Sequence, residues 1–291
     1  MSGRVVPLAL MSIAAASWAA ATVLTKVVLD ELTPLDVLGV ELFSSAAVMV
    51  FVLVVRGRPF VPAVWPVFAL LGVLEPALTF GLFDFGIAHT GAADGALLIS
   101  SESLFGVVLA RLLLGERTSG LMRAAVVVGF AGSALVGLAA TGHAMSLGGD
   151  LLVLAASATA AAYGVGARGF GRDVDTFGAT TTQLVTAALV AAPFIVAAGA
   201  GGRSHITHAD AAHLTAAVAT GLLGGAVPFL AFNRAIRDLT VAHAALVLNL
   251  VPVLAAGGAV VALGEHLAWS ELVGGGLVVG AATTASLPTA S

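Results

Sequence analysis

Two stretches decide how this chain is read: TGAADGALLISSESLFGVVLARLLLGE at positions 90–116 and LTVAHAALVLNLVPVLAAGGAVVALGE at positions 239–265. A shift of 149 residues superposes them without a gap, and both end in Leu-Gly-Glu. Ala93/Ala242, Ala96/Ala245, Leu97/Leu246, Ala110/Ala259, Leu114/Leu263, Gly115/Gly264 and Glu116/Glu265 are identical pairs. In segments this rich in Ala and Leu such matches are weak alone, and the flanking charges carry more. Arg117 and Arg123 follow the first Gly-Glu, whereas His266 to Glu271 follow the second with no Lys or Arg. Upstream the pattern reverses, since Arg234 and Arg237 stand where Phe85 and Ala88 stand in the first copy. Equivalent ends obey opposite charge rules, as an inverted repeat in a membrane requires.

Working outward, 59% of the 291 residues are hydrophobic and 10% are charged. An ordinary soluble domain carries about 25% charged residues, so lipid has to be the main solvent. Apolar runs bounded by polar or Gly/Pro breaks give expected spans near 5–28, 36–55, 65–88, 92–114, 120–140, 148–168, 177–199, 213–234, 241–263 and 268–287. The fold class expected is therefore an all-α polytopic membrane protein of ten transmembrane helices, built as two inverted five-helix repeats, 1–143 and 144–291. Connections are short, so sequence neighbours pack as antiparallel helices. Of the twelve basic residues, ten (Arg4, Arg56, Arg58, Arg111, Arg117, Arg123, Arg168, Arg172, Arg234 and Arg237) fall on one side and only Lys26 and Arg203 on the other. That asymmetry places both termini in the cytoplasm of a multi-pass protein of the cell inner membrane. The 35 glycines read first as packing, because close helix approach replaces the hydrophobic effect in lipid.

The chain resembles the EamA-like permeases of the drug/metabolite transporter superfamily over nearly its whole length. The resemblance rests on Ala16-Ser17-Trp18 followed by Lys26, on Thr33-Pro34-Leu35, and on the paired Leu-Gly-Glu endings, the second with Asn249, Pro252 and Glu265. It implies ten helices, cytoplasmic termini, and movement of amino acids, nucleotide-like metabolites or other small solutes. Two positions depart from the family pattern: Glu41 stands where the second helix usually carries Arg, and Ser103 replaces the proline that would match Pro252.

A charge at mid-span costs roughly 2.5 to 3.5 kcal/mol on insertion scales, so each demands a partner, water or a function. Glu75 and Glu102 lie near the centres of the third and fourth expected spans and are the foremost candidates for binding a proton or a cationic solute group. Their alternative reading is a protonated side chain satisfied by Thr79 or by Ser100, Ser101 and Ser103. Glu41 can pair with Lys26 across helices, or Lys26 can snorkel to the outer interface. Asp84 is turned to the opposite helix face from Glu75. The second half has a milder set: Tyr163, Gln183, Asn233 and Asn249, with Pro252 freeing a backbone carbonyl. Trp18 and Tyr163 occupy corresponding first helices, where they either stack on solute or pack. Gln183 and Asn249 serve recognition or join helices. Glu116 and Glu265, closing the two repeats, read as structural anchors of loop amides or helix starts.

Other classes find little footing. There are no cysteines, His205 and His208 resemble only a weak metal pair, and the sequence holds no HExxH, no G-x-S-x-G elbow and no P-loop. No ring of charges or filter motif suggests a channel. The expectation is a secondary-active transporter, an exporter of a small polar metabolite such as an amino acid or drug-like solute, working by alternating access with proton coupling. A flippase of lipid-linked substrate is the alternative within the same class. The basic residues are scattered along the sequence, so neither nucleic acid nor an anionic lipid surface is an expected partner, and no metal or cofactor is; small-molecule solute and membrane lipid are.

Overall fold

A computed structural model describes residues 2–57, 65–87, 89, 98–137, 146–264 and 266–284, without the side chains of 2–4, 84, 87 and 137. Among these residues there are helices and connections and no strand. The helices are α1 (Ser2–Val28), α2 (Pro34–Val55), α3 (Trp65–Gly72), α4 (Thr79–Ile87), α5 (Glu102–Leu113), α6 (Gly120–Gly137) and α7 (Leu147–Phe170). They continue as α8 (Thr176–Ala200), α9 (Ala211–Thr220), α10 (Val227–Ile236), α11 (Val241–Leu248), α12 (Leu250–Leu263) and α13 (Trp269–Thr283). Among the described residues, seven of the ten expected spans are long and apolar enough to cross a membrane: Val5–Val28, Pro34–Val55, Trp65–Phe83, Leu147–Phe170, Thr176–Ala200, Ala211–Ile236 and Val241–Leu263. Gly120–Val136 is a shorter apolar helix. Large apolar side chains such as Val261 (88% exposed) and Leu147 (76%) lie on the outer surface, which water would penalise and hydrocarbon accepts.

Helix starts follow local chemistry. Thr33 accepts from the Asp36 amide at 3.3 Å while Asp36 accepts from the Thr33 amide at 3.1 Å, a reciprocal cap with Pro34 in the first turn. Ser146, Asp175, Asp210 and Thr240 cap α7, α8, α9 and α11 through their side-chain oxygens. The two Leu-Gly-Glu endings share a reason as well. Gly115 and Gly264 have φ of 67° and 70°, the left-handed turn that a side chain disfavours.

The packing is matched between halves. α1 lies against α9, α10, α11 and α12, while α7, its counterpart in the second half, lies against α3, α4 and α5. α2 meets α8, α5 meets α11, and α6 meets α13. Exchanging the halves maps the α2–α8 and α6–α13 contacts onto themselves and carries α1 on α9, α10 and α12 onto α7 on α3, α4 and α5, which fits an inverted repeat. The α6–α13 contact is backbone on backbone: a Cβ at Gly132 would stand 2.7 Å from the Gly274 carbonyl oxygen, and one at Gly274 would stand 2.5 Å from that of Gly132.

Candidate functional site

Four helix interruptions organise the interior, and they correspond between halves. Pro76 has no N–H to give the Gly72 carbonyl, and the residue before a proline is pushed out of the helical region. Glu75 accordingly has extended backbone (φ −147°, ψ 127°) within a π-helical segment, Val73–Leu78. The shift of 149 carries 73–78 to 222–227, one residue from the second π-helical segment, Gly221–Ala226. Further along, Ser101 is a turn residue between the helical residues 98–100 and α5, and Asn249 interrupts α11 and α12. Pro252 explains the second interruption, since its ring excludes the bond to the Leu248 carbonyl. Ser103, in the matching place, has an N–H, and its Oγ donates to the Ser100 carbonyl at 3.1 Å.

Glu75 sits at the first interruption and Glu102 is the first residue of α5, just after the other. Both are partly buried, and they lie close enough for their charges to interact. α7 packs on the π segment and on α5 alike. Hydroxyls link these elements: Thr159 of α7 and Thr79 of α4 share a 2.9 Å hydrogen bond, Thr79 Oγ1 also lies 2.9 Å from the Leu74 carbonyl, and Ser157 of α7 donates to the Leu98 carbonyl at 2.7 Å.

Tyr163, Gln183 and Asn233 form one buried network. The Tyr163 hydroxyl donates to Asn233 Oδ1 at 2.9 Å, and Asn233 Nδ2 donates to Gln183 Oε1 at 2.7 Å and to Thr180 Oγ1 at 3.0 Å. Asn233 is its hub, although the sequence offers only a mid-span amide among several. Its place on α10, facing α7 and α8 at once, is the signal, and it is not local. Gln183 Nε2 and Asn249 Nδ2 are buried donors with no hydrogen-bond partner among the described residues, and such a group costs about 1–3 kcal/mol unless something accepts from it. Asn249 faces Gly129, where a Cβ would fall 2.6 Å from its Nδ2. Replacing Asn233 by Leu should lower thermal stability in detergent by about 1–3 kcal/mol, because the Tyr163 hydroxyl and Gln183 amide lose their partner together. A variant as stable as the parent would mean the network holds nothing in place.

Trp18 and Glu41 gather at the second π segment. Trp18 Nε1 donates to the Gly224 carbonyl at 2.8 Å, and Ser45 Oγ donates to the Gly221 carbonyl at 2.9 Å. A Cβ at Gly221, Gly224 or Gly225 would fall about 2 Å from Ser44 Oγ, Glu41 Oε1 or Ser45 Oγ respectively, so this segment is glycine because α2 occupies the space. Aromatic rings bridge the two groups of polar residues. Trp18 and Tyr163 both meet Phe229 edge-on, at 5.5 and 5.6 Å, and Tyr163 stacks on Phe232 at 5.5 Å.

Glu116 lies apart, at the end of the repeat. One carboxylate oxygen accepts from Arg168 Nε at 2.9 Å and the other from the Val241 amide at 3.0 Å, so it ties α7 to the start of α11. Glu265 and the Asp84 side chain lie outside the described residues. At the opposite end of α1, Glu31, Asp210 and His213 rather than His205 and His208 come together, with His213 Nδ1 2.8 Å from Asp210 and 3.4 Å from Glu31. The His213 amide and ring hold the Asp210 carboxyl below its ordinary value. These groups satisfy one another and clip two loops together.

This arrangement of paired interruptions has relatives. The profile of the EamA-like transporter family matches residues 6–138 and again 147–287. The chain belongs to the EamA-like transporter family. This transporter is 32% identical over 219 residues to the "Probable terminal-alkyne amino-acid exporter" of Streptantibioticus cattleyicolor, covering 73% of the chain and 70% of that relative. It is 25% identical over 191 residues to the "Uncharacterized transporter YyaM" of Bacillus subtilis, covering 64% and 62%. A solved crystal structure shares its fold with a TM-score of 0.80 at 20% identity, over 98% of this chain and 96% of the other. The protein is thus a multi-pass membrane transporter rather than an enzyme.

Proposed function

We propose that the transporter is a secondary-active exporter of a small zwitterionic solute of the amino-acid class. Ten helices, in inverted repeats spanning 1–143 and 144–291 with both termini in the cytoplasm of the inner membrane, rock about a central site. A proton gradient drives the cycle. The observation that carries this reading is chemical complementarity at the interruptions: two neighbouring carboxylates, Glu75 and Glu102, suit an ammonium group or a proton. Two buried amide donors without acceptors, on Gln183 and Asn249, suit a carboxylate. Tyr163 completes the polar wall, with Glu41 and Trp18 beside the glycine segment on which the repeats would turn. The name of the Streptantibioticus relative supports the same solute class.

The test is flux in proteoliposomes offered pooled amino acids, nucleosides and cationic drugs at several imposed pH gradients. Gradient-driven amino-acid flux is expected. Flux confined to nucleosides or drugs would overturn the solute class, and flux indifferent to the gradient would overturn proton coupling.

A further inference from the structure

Outside the polar interior, two adjoining cavities share a wall at the Arg-rich ends of α7 and α10. The first, about 590 Å³, runs between α1, the start of α8 and α10, and its apolar wall includes Leu10, Val174, Phe177, Val227, Leu230 and Ala231. The second, about 420 Å³, is lined by Arg168, Arg172, Arg234, Arg237 and Asp238. Arg234 and Arg237 line both, so an apolar crevice leads into a basic mouth. Val227 is 41% exposed, so the crevice opens at the surface of the bundle.

The arginines divide by what they already hold. Arg168 pairs with Glu116 and donates to the Arg237 carbonyl, and Arg237 donates to Thr176 Oγ1 at 2.8 Å and to the carbonyls of Val174 and Arg172. These two build the wall. Arg172 is exposed and its guanidinium has no partner among the described residues. Arg234 meets only Asp238, at 2.8 Å, in a half-exposed pair of the kind that contributes little. Arg56 adds a third charge at the rim, 5.5 Å over the Phe177 ring. Of the acidic residues lining the cavities, Asp175 caps the Gly178 amide and Asp238 lies against the cluster.

We propose that this composite cavity is a binding site for an anionic phospholipid, with the phosphate at Arg172 and Arg234 and an acyl chain along the apolar crevice. Each half of the cavity excludes a different competitor. A free anion has no use for the apolar wall, and a zwitterionic lipid gains little from guanidinium groups that outnumber the carboxylates beside them. Basic pockets between helices at the membrane surface meet both demands of such a lipid at once. Occupancy would brace α1 against α8 and α10, joining the two repeats at one membrane face.

The experiment is thermal unfolding of the full-length protein in neutral detergent, titrated with phosphatidylglycerol, with phosphatidylcholine of the same chains, and with inorganic phosphate. Phosphatidylglycerol should raise the unfolding temperature saturably, and the other two should not. Arg172→Gln, which breaks no contact, and Arg172→Gln with Arg234→Gln should each weaken half-saturation by about tenfold or more, the factor expected for loss of a charge-assisted contact. Equal stabilisation by phosphatidylcholine would overturn the role of the arginines. Stabilisation by phosphate alone would make the site one for a free anion. An unchanged titration in Arg172→Gln would overturn the placement. Native mass spectrometry of the parent protein, counting retained phosphatidylglycerol against phosphatidylcholine, decides the lipid preference even if the double variant fails to fold, and equal retention would overturn it.

Discussion

Glu102→Gln should leave a folded transporter whose flux no longer responds to an imposed pH gradient. The substitution keeps the size of the side chain and one hydrogen-bonding oxygen while removing the group that can take up and release a proton. It also removes one of two carboxylates whose charges interact, so Glu75 alone would face an ammonium group or a proton. Losing one such interaction, about 1.4 kcal/mol or more, corresponds to a fall in flux of about tenfold or more. The assay is gradient-driven flux in proteoliposomes at matched protein density, alongside Glu75→Gln. A Glu102→Gln protein with the parent's pH profile would remove Glu102 from the coupling step, whatever the solute proves to be.

Gly72→Ala should be among the most damaging single-carbon changes in the chain. A Cβ there would lie 2.3 Å from the Gln183 carbonyl oxygen and 2.7 Å from its Cα, and neither is the movable end of a side chain. The two spans have to separate, just where the first interruption begins and where Gln183 enters the Asn233 network. Overpacking of this kind costs about 1–3 kcal/mol. Thermal unfolding in detergent reads it, and flux should fall too, because Gln183 moves with its backbone. Gly81→Ala is the matched control: nothing lies within 4 Å of its added carbon, so the better helix propensity of Ala should leave stability unchanged or slightly higher. Equal unfolding temperatures for the two variants would mean that α3 and α8 do not approach as closely as described.

Local chemistry made much of the architecture readable without coordinates. Seven of the ten expected spans return as long apolar helices among the described residues, because hydropathy is a property of consecutive residues, and five helix starts rest on Thr33, Ser146, Asp175, Asp210 and Thr240, whose oxygens each reach the amide three residues on. The repeat is written in the chain because a shift of one register carries Gly115 onto Gly264, and both take the same left-handed turn. Family membership could be read from the same motifs and agrees with the two profile matches.

Which side chains meet was not readable in this way. A helix in water declares its inner face by an apolar stripe, but here lipid and protein interior are both apolar, so spans such as α2 are apolar nearly all round and carry no such pointer. The sequence therefore determined that Glu75, Tyr163, Gln183 and Asn249 lie within spans, and that each needs a partner or a task. Only the tertiary structure decided that Asn233 joins Tyr163 to Gln183, that Trp18 holds a carbonyl of the glycine segment, and that Glu116 reaches the start of α11. Those contacts depend on the rotation and depth of helices far apart in the chain, which are set by where glycine lets two backbones touch.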